Sequence, residues 1–126
     1  MRFLVFLLLL FSVEARSECF VVGEFKGYGL RQNESFEFNQ DGMSRQKFML
    51  DIDGENSKGT PSNMECLEAG HKTVLCLGAV PDTAAIETWA VYPDKGIAIF
   101  TKTRNGVNVF NGGMLFKGSI LGKCGK

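Results

Sequence analysis

The chain has 126 residues, of which 44% are hydrophobic, and its 14 lysines and arginines balance 14 aspartates and glutamates. A formal charge of zero, with no basic run carrying interleaved aromatics, leaves nothing of the electrostatic footprint that nucleic-acid binding requires. Length limits the chain to one domain.

The first stretch, "MRFLVFLLLLFSVEARSEC", has one cation at Arg2, an apolar run from Phe3 to Phe11 and then small residues. This pattern predicts a secretory signal over residues 1–17, cleaved after Ala15 or Ser17. The run is too short to cross about 30 Å of bilayer as a helix, and no later run matches it, so no membrane anchor is expected. Residues 18–126 then form a single β-rich secreted domain. Eight of the eleven phenylalanines lie in it, with Trp89, Tyr28 and Tyr92, so its core is aromatic, which favours strands.

Period-two patterning predicts a strand at Cys19–Phe25, broken by Gly27 and Gly29, and a second at Ser35–Asn39, ended by an Asp41-Gly42 turn. Another is predicted at Lys47–Ile52, before a polar loop from Gly54 to Asn63. Pro61 suits a first helical position, Ser62 with Glu65 fits a capping box and Gly70 a stop, so one short helix is predicted over Pro61–Ala69. Strands follow at Lys72–Val80, at Trp89–Tyr92 and, after the turn "YPDKG", at Ile97–Thr103. The segment Ala84–Tyr92 also reads as a helix capped by Asp82; the hairpin signal after it decides for a strand. In "KTRNGVNVFNGGMLFKG", Asn105-Gly106 and Asn111-Gly112 are predicted turns flanking a strand "VNVF", with a last strand at Met114–Leu121. About seven short antiparallel strands, with or without the one helix, imply an all-β or mainly β small barrel or two-sheet sandwich. Function is expected at the longer connections, Gly27–Glu34 and Gly54–Asn63.

Four cysteines in an exported chain read as two disulfides, and the preferred pairing is Cys66 with Cys76 and Cys19 with Cys124. The triplet Asn33-Glu34-Ser35 is an N-glycosylation acceptor. Residues 18–70 hold ten acids and five bases and residues 71–126 three acids and seven bases, so the halves carry opposite charge.

The residues argue against most chemistries. His71 is the only histidine, and Glu65 and Glu68 are the carboxylates nearest it in sequence; it reads as a solvated turn residue, and no metal or cofactor is expected. "DIDGEN", with Asp51, Asp53, Glu55 and Asn56, resembles a calcium loop but has its glycine at the fourth place and Ser62 at the twelfth, so it fails the EF-hand pattern. The glycines of "GEFKGYG" lack dinucleotide spacing. No Q-x-V-x-G segment of the cystatin kind or early G-x-W of the lipocalin kind is present. No catalytic constellation emerges.

The sequence therefore predicts a non-enzymatic secreted protein whose loops bind an extracellular protein or glycan, with Lys102, Arg104, Asn105 and Asn108 as a contact patch. The alternative is a carrier of a small apolar ligand lined by Phe36, Phe38, Phe48, Phe100, Phe110 and Phe116. A secreted enzyme of unrecognised type is the second alternative.

Overall fold

The computed structural model describes residues 17–107 and 111–125. The signal segment up to residue 16, Asn108 and Phe110 lie outside the described residues.

Eight strands run antiparallel: β1 (Glu18–Arg31), β2 (Asn39–Ile52), β3 (Lys58–Thr60), β4 (Glu65–Glu68), β5 (Thr73–Val80), β6 (Thr83–Tyr92), β7 (Ile97–Gly106) and β8 (Gly112–Lys123). They form one sheet in the order β3-β2-β1-β8-β7-β6-β5-β4. Each strand borders its sequence neighbour, β8 pairs with β1, and β3 comes beside β4, giving a nearly closed barrel with a single seam. Curling the sheet this way removes most of the exposed edge that would template aggregation. Both expected disulfides are present, Cys19–Cys124 with Cα atoms 5.2 Å apart and Cys66–Cys76 with Cα atoms 4.0 Å apart. The first ties the start of β1 to the residue after β8.

Alternation fills the interior. Phe25, Phe48, Trp89, Phe100 and Phe116 are buried and touch one another with ring centroids 4.3 to 6.5 Å apart. Phe25 owes its place to a bulge: β1 shifts register against both neighbours around Glu24, whose φ is 57°, and so turns Phe25 inward. Gly118 lies beneath that ring, where an added Cβ would sit 2.5 Å from it. The close contact requires glycine there.

Several expectations are corrected. Residues 61–69 form no helix: Glu65, Cys66, Leu67 and Glu68 pair with Leu77, Cys76, Leu75 and Val74. The disulfide partner directly across the ladder outweighs the local capping signal, and the Ser62 hydroxyl accepts from Met64 N–H rather than capping a helix. Of the strand expected at Ser35–Asn39, only Asn39 is in a strand, as the first residue of β2. The segment's first residues complete a turn, with Ser35 N–H donating to the Gln32 carbonyl and Phe36 N–H to that of Arg31. Asp41 and Gly42 are not a turn but lie in β2, opposite Gly27 and Lys26. Asn105 and Gly106 likewise belong to β7, paired with Ala84 and Thr83, because β6 extends far enough to take up their hydrogen bonds. The β7–β8 connection therefore lies between the two turn signals, where the predicted strand "VNVF" falls mostly outside the described residues.

Candidate functional site

One end of the barrel is shaped by the last residues of β1 and β7 and the first of β2 and β8. Cross-strand register sets its layers. Trp89 faces Phe100, and Phe100 faces Phe116; one step along, Glu87 faces Lys102 and Lys102 faces Met114; the next step is Ala85, Arg104 and Gly112. Period-two alternation points all three layers inward, so the aromatic floor gives way to an ion pair and then to a cationic rim. Above that floor is a pocket of about 350 Å³ lined by Gly29, Arg31, Asp41, Lys102, Arg104 and Met114, among others.

The charges are largely cross-neutralised. Lys102 Nζ lies 3.0 Å from the buried Glu87 carboxylate, and Arg31 Nη2 donates to Asp41 Oδ2 at 2.8 Å. Arg104 is half-buried and makes no ion pair among the described residues. Glu87 Oε2 and Trp89 Nε1, both inside, have no hydrogen-bond partner among the described residues.

Asn111 holds the rim together. Its amide oxygen accepts from Gly106 N–H at 2.7 Å, and its Nδ2 donates to the Gly106 carbonyl at 3.1 Å and to Gln32 Oε1 at 2.8 Å. The β7–β8 connection is thereby locked to the β1–β2 connection. On the latter, Ser35 and Phe36 both have φ of 55°, a left-handed conformation costing roughly 1–2 kcal/mol per residue for a side chain with a Cβ. The turn presents Phe36, 52% exposed, and Phe38, 79% exposed, to solvent.

The predicted contact patch is thus divided. Lys102 and Arg104 point into the barrel, in phase with Phe100, while Asn105 is exposed on β7. The predicted ligand lining is divided too: Phe48, Phe100 and Phe116 are packed core, and Phe36 and Phe38 stand outside on the rim. Asn33 is exposed and borders the pocket. Arg31, Asp41, Glu87 and Asn111 were not anticipated; for Glu87 the signal existed, since it shares the phase of Trp89 and Val91.

At the opposite end, Lys72 Nζ contacts Glu18 Oε1 at 2.8 Å, and this hydrogen bond holds the Glu18 carboxyl below its ordinary value. His71 is exposed beside the pair. A hollow of about 530 Å³ there is lined by Lys72, half-buried and paired with Glu18, and by Lys95 and Lys123, both exposed, so it holds no half-buried cation without a carboxylate. Among the described residues no group of three or more His, Cys, Asp or Glu is placed to hold a metal. In the "DIDGEN" turn the Ser57 hydroxyl accepts from Asp53 N–H and donates to the Gly54 carbonyl, so the turn satisfies its own polar groups. No helix among the described residues is long and apolar enough to cross a membrane. The chain matches no family model, no curated protein and no solved structure.

Proposed function

We propose that this is a secreted, non-catalytic binding domain that engages an extracellular macromolecule through the open end of its barrel. The observation that carries the reading is the pocket of about 350 Å³, a largely apolar hollow at the open end into which the cationic side chains Arg31, Lys102 and Arg104 converge beyond the packed aromatic layer. A concave site with a few converging polar groups is where a rigid scaffold places recognition. The two disulfides suit an oxidising, extracellular destination and stiffen that scaffold. Carriage of an apolar ligand is the weaker reading, because the rings that would line a cavity fill it instead.

The acceptor triplet at Asn33 supports modification at the same rim, where a glycan would stand at the edge of the pocket. The test is retention of an extracellular partner from the secreting tissue's own extract by immobilised protein. Arg31→Gln with Arg104→Gln is expected to abolish retention. Lys117→Gln with Lys123→Gln, an equal change in charge at exposed positions of β8, is expected to preserve it. Equal retention by both variants would overturn the reading.

A further inference from the structure

Resting on the mouth as the binding site, we propose that the group it receives is an acidic sugar of an extracellular glycan, its carboxylate seated on Arg104. Three features of the mouth converge on that chemistry.

The first is charge. Asp41 neutralises Arg31 and Glu87 neutralises Lys102, which leaves Arg104 as the half-buried cation without a carboxylate among the described residues. A guanidinium withdrawn from bulk water gains most from a planar anion matching its two-pronged donor geometry. The second is shape. A pocket of about 350 Å³, with the main chain of Gly29, Gly112 and Gly113 forming part of its wall, accepts a compact ring and not a folded surface.

The third is the rim. Phe36 and Phe38, outside the pocket lining but on the same connection as Asn33, have exposed rings of the kind against which the C–H face of a sugar packs, and the amide of Asn33 borders the pocket with donor and acceptor side by side. The consecutive positive φ angles of Ser35 and Phe36 place the aromatic outward at a conformational cost, and strain of that kind clusters at binding sites. An acidic peptide would be better served by an open sheet edge offering ladder hydrogen bonds, whereas β1, β8 and β7 are paired on both sides at this end.

The test uses the full secreted protein with both disulfides intact, isotopically labelled, titrated with a hexasaccharide of alternating glucuronate and N-acetylglucosamine. Maltohexaose serves as the neutral control and hexaglutamate as the peptide control. Saturable amide shifts are expected at Gly29–Arg31, Arg104 and Asn111–Gly113, with affinity falling as salt rises. Affinity is expected to drop about tenfold or more in Arg104→Gln, the loss of one charge-assisted contact, and less in Arg104→Lys. Phe36→Ala, on an exposed rim, is expected to weaken binding several-fold and supplies the same test should Arg104→Gln fail to fold. No shift with the uronate hexasaccharide, an equal affinity for maltohexaose, or an equal affinity for hexaglutamate would each overturn the proposal. An extracellular protein retained by the wild type and lost in the Arg31 and Arg104 variants, with no saccharide response, would sink the glycan while leaving the mouth as the site.

Discussion

Lys102 and Glu87 carry the largest electrostatic stake of any pair in the described barrel, since the Glu87 side chain is 6% exposed and the Lys102 side chain 22%. Breaking such a pair from one side leaves a buried charge without its partner, at a cost of about 3 kcal/mol or more. Lys102→Met is therefore expected to lower stability in urea by roughly that amount. Glu87→Gln combined with Lys102→Met is expected to recover most of it. A single variant as stable as the wild type would show that the carboxylate reaches water instead. The Glu18–Lys72 pair makes a different prediction. Because the folded Glu18 carboxyl titrates below its ordinary value of 4.5, its contribution is present above that pH and is lost as pH falls through the folded value. Both partners are substantially solvated, so the effect is at most about 1 kcal/mol. Melting curves of the wild type and Glu18→Gln should differ at pH 6 and converge as the pH falls through the folded value, below 4.5; a gap that persists at low pH would mean that packing, not charge, distinguishes them. Phase explains why the inner charges were hard to foresee. Lys102 and Arg104 follow Ala98 and Phe100 at intervals of two and so belong to the inward face. Charge suggests a solvated position, and only the barrel's open end reconciles the two.

The elements most legible in the sequence are those where local pattern and long-range pairing agree. β5, β7 and β8 fall where alternation places them, and the turn at Pro93–Gly96 closes on a glycine with φ of 67°. Where a local signal competes with a ladder, the ladder wins: the capping box before Glu65 yields to the Cys66–Cys76 cross-strand pair, and Asn105-Gly106 yields to β6. The Ser35–Asn39 alternation misled for the opposite reason, since the β1–β2 ladder runs out just as it begins and Phe36 and Phe38 stay in solvent. The two disulfides, by contrast, follow the pairing that the sequence favours among the three that four cysteines allow. Loop-closure entropy ranks them. Cys19–Cys124 spans 105 residues and is worth roughly 4–5 kcal/mol, while Cys66–Cys76 spans 10 and is worth roughly 2.5–3 kcal/mol. Guanidinium denaturation of the paired serine variants is expected to show the larger loss for Cys19→Ser with Cys124→Ser. The reverse order would indicate that the seam beside β4 depends on its bridge for more than chain entropy.

At the scale of the whole molecule, a strictly sequential meander has one consequence for charge: residues 18–70, rich in acids, build β1–β4 on one side of the wall, and residues 71–126, rich in bases, build β5–β8 on the other. The two sides meet where β8 joins β1, and the mouth opens beside that junction, drawing Arg31 and Asp41 from one half and Lys102 and Arg104 from the other. A filled aromatic floor leaves the open end, and not the interior, as the place where the proposed binding would occur. The most direct measurement is site-specific photocrosslinking in the extracellular extract, with a benzophenone side chain placed at Phe36 on the rim in one protein and at Ile86 on the outer face of β6 in another. The account predicts a discrete adduct from position 36 that excess unlabelled protein competes away, and none from position 86. Adducts from position 86 alone would contradict it.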